Sequence, residues 1–354
     1  MRAESFEFLK ALEETPSVSG FEQAVGRLVR KRMKPYADRI TTDVHGNTIV
    51  ALNPRGKPRV MLAGHCDQIG LMVRHITDDG YIYFGAVGGV DPTVLPGTRV
   101  TIHGARGPVE GVIGRKPVHL MKPEERGQGK IELTDLWIDI GAPSKAEALK
   151  RVAIADPVTC LLRLERIGSD CVACPGLDDK VGTFVVMEAL RLAAGRRLRC
   201  ALFAVATVQE EIGLRGARTS CYGLDPLVGI AVDVTHATDN PGADKKLAGD
   251  VALGKGPVIE RGPNINHVVG DLLISAARAR RIPYQISAAP GATGTDANAI
   301  QISRSGVAAG LIGIPNRYMH TQVELVHLAD LTHAAELLAE TVARIDADTS
   351  FIPL

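Results

Sequence analysis

Apolar residues in this chain come in short unbroken runs, and four of those runs stop beside a residue able to hold a metal. Residues 59–64 lead into His65, residues 200–208 into Glu210 and Glu211, residues 227–232 into Asp233, and residues 308–314, past a Pro-Asn turn, into His320. Runs of this length read as strands buried on both faces, as in a mostly parallel sheet. Helical patterns occupy 4–12, 181–194, 268–280 and 329–345. Ser19-Gly-Phe-Glu22 has the form of a capping box, with Ser19 as N-cap of a helix to about Met33. Such alternation implies a doubly wound α/β architecture, a parallel or mixed sheet sandwiched by helices. Open sheets of this kind place their sites beyond the carboxyl ends of the strands, so two imidazoles and several carboxylates can meet in one cleft.

The texture changes after Gly70. Residues 71–76 and 81–84 flank Asp79-Gly80, a hairpin signal. From there to about Leu162 the chain is rich in Gly, Pro and short alternating runs such as 98–103 and 109–113. A single helix is expected there, behind the capping box Ser144-Lys-Ala-Glu147. This stretch reads as a small β-barrel or sandwich inserted into the α/β domain. The expected division is 1–70 with 164–354 as the catalytic domain and 71–163 as the inserted β-rich domain.

A chain of 354 residues that is 45% hydrophobic can bury a substantial core, and its formal net charge of +1 gives no reason to expect a nucleic-acid or membrane-surface partner. The N-terminal residues are charged and lack the apolar core of a signal peptide, so a cytoplasmic protein is expected. Six scattered cysteines fit reduced, buried thiols better than a disulfide framework, and Cys171-Val-Ala-Cys174 has no second pair to complete a four-sulfur site.

Candidate chemistry gathers at the strand ends. In an extended segment His65 and Asp67 share a face, so Asp67 can orient the imidazole; the plainer reading is polar surface. Asp178 and Asp179 precede a helix, where acids suit the dipole, but Asp178 could also bridge two cations with its two oxygens. Glu210 and Glu211 follow a buried strand, where adjacent carboxylates are costly unless paired or metal-bound. Glu211 as ligand and Glu210 as general base is one division of labour, and a solvated turn is the other reading. Asp233 follows an equally apolar strand, whereas a lone His320 would by itself read as structural. Arg261, after Glu260, is either a basic contact for an acidic substrate or a surface residue. Residues 249–255 nearly spell a phosphate loop, but Gly256 and Pro257 replace the hydroxyl residue and the helix.

Taken together, Ala63-Gly-His65-Cys-Asp67-Gln-Ile-Gly70, Leu177-Asp178-Asp179-Lys180-Val-Gly182, Gln209-Glu210-Glu211-Ile-Gly213, Asp233-Val-Thr235 and Tyr318-Met-His320 resemble, in order, the motifs of the M42 metalloaminopeptidases. The likeness spans nearly the whole chain, and Ser19–Glu22, Asp43–Asn47, Gly254–Pro257 and Gly294–Ala297 add to it. It implies a zinc-peptidase-like fold and two divalent ions, zinc or cobalt, held by His65, Asp178 and Asp233 on one side and Asp178, Glu211 and His320 on the other. It further implies Glu210 as base, Asp67 behind His65, and a β domain used in assembly, from dimers to twelve-subunit shells. Peptides would be the substrates, a water between the ions the nucleophile. The chain departs from the family pattern at Gln68, often Glu there. The competing functions are a related two-metal deacylase and an endoglucanase-type glycoside hydrolase using Glu210; one Trp and 4% aromatics disfavour a sugar platform.

Overall fold

The computed structural model describes residues 1–122 and 130–353. Strands β1 (Arg39–Thr42), β2 (Thr48–Leu52) and β3 (Arg59–His65) open the chain after helices Ala3–Glu13 and Gln23–Met33. Six strands follow as a separate unit: β4 (Gly70–Ile76), β5 (Ile82–Val87), β6 (Arg99–Gly104), β7 (Gly107–Arg115), β8 (Leu136–Asp139) and β9 (Pro157–Cys160). The chain then forms β10 (Glu165–Ile167), β11 (Cys171–Ala173), β12 (Ala201–Thr207), β13 (Val228–His236), β14 (Val258–Arg261), β15 (Gln285–Ala288), β16 (Ala308–Arg317) and β17 (Leu325–His327).

The first and last groups build one sheet of eleven strands, ordered β1-β2-β12-β3-β13-β16-β17-β11-β10, with β14 beside β16 and β15 beside β14. Its centre, β12-β3-β13-β16, is parallel, while the outer pairings are mostly antiparallel. The parallel strands are the unbroken apolar runs, buried on both faces because helices cover both. Helices Ala3–Glu13, Leu177–Ala193, His267–Arg280 and Leu328–Val342 pack on one face around Leu9, Phe184, Val185, Leu273 and Leu338. Arg215–Leu224 and Asp296–Gln301 cover part of the other, around Met61, Val205, Cys221 and Ile300. The result is the mixed sheet between helices that the patterning implies, but it is not mostly parallel: four strand pairings are parallel and six antiparallel, because the short outer strands return beside their neighbours.

The inserted strands close into a barrel, β4-β5-β8-β7-β6-β9, around its own core of Leu71, Val73, Ile82, Ile102, Leu136 and Ile138. The one α-helix expected within this unit is Lys145–Leu149, with Ser144 capping it by accepting from Glu147 N–H. All six cysteines are free thiols. None of the described helices is long and apolar enough to cross a membrane.

Two local expectations need correction. Ser19 caps no helix: Gln23–Met33 has Glu22 at its N-cap without a side-chain cap bond. The Ser19 hydroxyl instead donates to Asp67 at 2.7 Å, and Glu22 accepts from the N–H groups of Gly20 and Gln209. Long-range buried carboxylates outcompete the local box. Also, β13 does not stop at Asp233 but continues to His236, so Asp233 projects from within a strand.

Candidate metal centre

The four central strands deliver their polar ends to one place. His65 is the last residue of β3 and is buried. Asp233 lies one strand over on β13, and Gly313 of β16 sits opposite it. Beyond β12 the chain turns through Gln209, held at φ 56°, and presents Glu210 and Glu211. Asp178 stands at the head of Leu177–Ala193, where Asp178 and Asp179 depart from helical dihedrals before the regular turns begin. Beyond β16, Tyr318 and His320 both take left-handed backbone, φ 63° and 61°, which aims the His320 ring back at the cluster. Left-handed non-glycine residues are uncommon and concentrate at functional turns.

Asp178 is the hub. Its Oδ1 lies 3.2 Å from His65 Nε2, and its Oδ2 lies 3.2 Å from His320 Nε2. Around the first imidazole, Asp233 Oδ1 is at 4.0 Å and Glu210 Oε2 at 3.8 Å. Around the second, Glu211 Oε1 is at 3.6 Å. Two trios of possible ligand atoms result, each within 4.8 Å: His65, Asp178 and Asp233, and Asp178, Glu211 and His320. The sequence-derived set therefore converges, and Asp178 belongs to both trios.

Both rings are held by main-chain carbonyls. His65 Nδ1 is 3.0 Å from Asp67 O, and His320 Nδ1 is 2.9 Å from Gly89 O. A carbonyl only accepts, so each Nδ1 carries a proton, and each Nε2 faces the carboxylates. The Asp67 carboxylate is a little farther from His65, at 3.5 Å. Its principal work is elsewhere: it accepts from Ser19 Oγ and from the N–H groups of Glu210 and Glu211. Asp67 thus shapes the Glu210–Glu211 turn as well as standing behind the imidazole.

Two buried carboxylates escaped sequence reasoning as supports of this cluster. Asp179 accepts from His65 N–H and Gly182 N–H, tying the end of β3 to the helix. Glu324 accepts from Asp178 N–H at 2.8 Å and His320 N–H at 2.9 Å, and so locks two of the converging segments together. Their only sequence signal was acidity beside residues already singled out. Gly89 is the third: it lies past β5, in the barrel unit, and carries no functional atom except its carbonyl. Gln68 contributes to neither trio; its side chain packs against Gly176, and its Oε1 is buried without a hydrogen-bond partner. Arg261 turns away from the centre and pairs with Asp271 at 2.6 Å.

The electrostatics of the cluster are those of a site short of positive charge. Burial pushes Glu210 up to about 10 and Glu211 up to about 8, and raises Asp233 well above the carboxylate range. Burial also opposes ionisation of Asp178, yet hydrogen bonds from His320 and His65 hold it well below that range. Hydrogen bonding to Asp178 lifts His320 to about 9. Glu211 Oε1 is buried with no hydrogen-bond partner. Two imidazoles and three carboxylates, one of them offering an oxygen to each side, form a donor set that suits divalent ions such as zinc.

Comparison with known proteins agrees with this architecture. Residues 46–337 match the family model described as M42 glutamyl aminopeptidase. The chain is 39% identical over 334 residues to the lysyl aminopeptidase of Pyrococcus furiosus, covering 94% of this chain and 95% of that protein. A TET aminopeptidase from a marine sediment archaeon of the Thaumarchaeota superposes with a TM-score of 0.93 at 35% identity, covering 98% and 97% of the two chains. The TET1 peptidase of Pyrococcus horikoshii, described as assembling into a tetrahedron or a large octahedral shell, superposes at 0.85 with 32% identity, covering 96% and 100%.

Proposed function

Because the chain belongs to the M42 family of aminopeptidases, enzymes that hydrolyse peptide bonds, we propose that it removes N-terminal residues from peptides with two divalent ions at the Asp178 cluster. The observation that carries this reading is the pair of Asp178 oxygens, each 3.2 Å from a different imidazole. His65, Asp178 and Asp233 would hold one ion and Asp178, Glu211 and His320 the other; zinc or cobalt suits these donors. Bound there, such ions lower the pKa of water and offset the charge that develops on a scissile carbonyl.

The remaining chemistry falls to the chain. Glu210 is the general base: its carboxylate accepts the proton of the attacking water and returns it to the departing amine nitrogen. Burial alone would keep Glu210 protonated near neutral pH, and the positive charge of ions held at the two trios would favour the carboxylate that this role needs. Asp67 keeps Glu210 in position through the main chain. The carbonyl of Gly89 and the carboxylate of Glu324 keep His320 aimed at Asp178.

Residues 71–163 form the assembly domain in this reading, and the chain works as a homo-oligomer, between a dimer and a twelve-subunit shell, in the cytoplasm. Support comes from the shell-forming relative and from the separate core of the barrel. Names among the relatives point to different preferred residues, lysyl and glutamyl, and do not choose a substrate.

The test is a panel of aminoacyl-p-nitroanilides, assayed before and after chelation and again after adding zinc or cobalt. Hydrolysis that chelation abolishes and metal restores is expected. Activity confined to N-acyl amino acids would assign a deacylase instead, and chelator-resistant hydrolysis would remove the metal reading.

A further inference from the structure

A second carboxylate cleft opens beside the cluster, on the same face of the sheet. Register fixes the arrangement. Asp233 pairs with Gly313, Gly313 pairs with Val258, and strand alternation places Glu260, two residues past Val258, on that face. Ser287 of β15 is the partner of Glu260 and shares the face as well. Thr235 lies two residues past Asp233 on β13 and so points the same way. Glu260, Thr235, Ser287, Leu311 and Gly313 line one cleft of about 200 Å³.

Glu260 is only 6% exposed, and it has no ion-pair partner among the described residues. Its carboxylate is hydrogen-bonded to the hydroxyls of Ser287 and Thr235, which are neutral. Arg261, the nearest cation in sequence, is on the opposite face with Asp271. Holding a carboxylate in a buried pocket without a cation is costly. Hydroxyls alone are a weak reason to keep it there. The floor of the cleft is also kept clear: a Cβ at Gly313 would come within 2.7 Å of Thr235 Cγ2 and 3.5 Å of Glu260 Oε1.

We propose that this cleft receives the side chain of the substrate's N-terminal residue and that Glu260 selects a cationic one, lysine or arginine. The inference rests on the aminopeptidase reading and names the substrate class of that same site. Dimensions support it. Thr235 stands about 6.6 Å along the strand from Asp233. A fully extended lysine side chain reaches roughly 6 Å from Cα to Nζ, given bond lengths near 1.5 Å. The Glu260 carboxylate and Thr235 both reach over Gly313, the register partner of Asp233, so a side chain extending from a scissile bond at Asp233 would run toward them. Leu311 offers an apolar wall to the methylene stem.

Norleucine, which has lysine's chain without its charge, gives the test. With metal-loaded wild-type enzyme, kcat/KM for lysyl-p-nitroanilide should exceed that for the norleucyl compound by at least about tenfold, mostly through KM, because a polar site rejects an analogue that leaves its buried group unpaired. Glu260→Gln should bring that ratio close to one. Calorimetric titration of the same protein with L-lysine and L-norleucine should show the same preference without turnover. Norleucine or leucine cleaved as well as lysine by the wild type would overturn the proposal and leave the aminopeptidase reading standing. A lysine preference that survives Glu260→Gln would also overturn it, and would reduce Glu260 to a packing role. Failure of every aminoacyl substrate would instead remove the hydrolase reading and this proposal with it.

Discussion

Asp67 accepts the main-chain N–H of Glu210 at 2.9 Å, so the carboxylate behind one imidazole also sets the turn that carries the proposed base. Its other oxygen accepts from Glu211 N–H at 3.2 Å and Ser19 Oγ at 2.7 Å. All three donors point at one fully buried group. Asp67→Asn keeps the shape but turns an N–H₂ toward at least one of these donors, because an amide has one oxygen where the carboxylate has two. Activity should fall about 10- to 100-fold, the usual scale for a group that supports metal ligands. Steady-state kinetics with parallel elemental analysis decide it; wild-type kcat in the Asn variant would show that the turn holds without Asp67.

Glu210 belongs to neither trio of possible ligand atoms, although its Oε2 is 3.8 Å from His65 Nε2. Glu210→Gln therefore separates chemistry from metal binding. An amide cannot take the water proton, so kcat should drop by about 10²- to 10⁴-fold while metal content is unchanged. Near-normal turnover would falsify the assignment of Glu210 as base. Loss of metal along with activity would make Glu210 a ligand instead.

The sheet and the cluster were legible in the sequence for the same reason. Strands buried on both faces are apolar along most of their length, so His65 at the end of β3, Asp233 within β13 and the Glu210–Glu211 pair beyond β12 stand out as interruptions. The barrel was legible from its alternating runs and its Asp79-Gly80 turn. What stayed hidden depends on contacts between distant segments. Ser19 and Glu22 have the spacing of a local cap, but Ser19 bonds to Asp67 and Glu22 to Gln209 N–H, far along the chain. Glu324 acts through two backbone N–H groups, and Gly89 through a carbonyl that every residue possesses. Glu260 and Arg261 are adjacent in sequence, and only strand register reveals that the acid, and not the base, faces the cleft.

Gly89 links the barrel unit to His320 through a contact that a single methyl group tests. A Cβ at Gly89 would lie 3.0 Å from both Cε1 and Nδ1 of His320, tighter than ordinary van der Waals contact. Gly89→Ala should push the ring off Asp178, and Gly89→Val should do so further. The expected result is a graded loss of one ion per chain, with metal affinity weakened about 10- to 100-fold, and no effect of the same kind at the His65 side. Competition titration with a chromogenic chelator measures it. Two ions per chain at unaltered affinity in the Val variant would show that the barrel connection does not position His320.

Glu13 connects pH to stability away from the substrate cleft. Both its carboxylate oxygens are buried without a hydrogen-bond partner. Burial pushes its carboxyl up to about 8, against the opposing pull of the Lys180 charge. Lys180 spends its donors on the main-chain carbonyls of Glu13 and Thr15. A carboxyl whose folded pKa is raised binds more protons in the folded chain than in the unfolded one, so its contribution is intact below the unfolded value, near 4.5, and is lost as pH rises through about 8. Glu13→Gln removes that dependence while keeping the shape of the neutral acid. Relative to wild type, the variant should gain a few degrees of Tm between pH 5 and pH 8.5, since ~1 kcal/mol moves Tm by about 2 °C in a large domain. Calorimetry of both proteins at the two pH values checks it, and a Tm difference that does not change with pH would mean that Glu13 ionises freely in the folded chain.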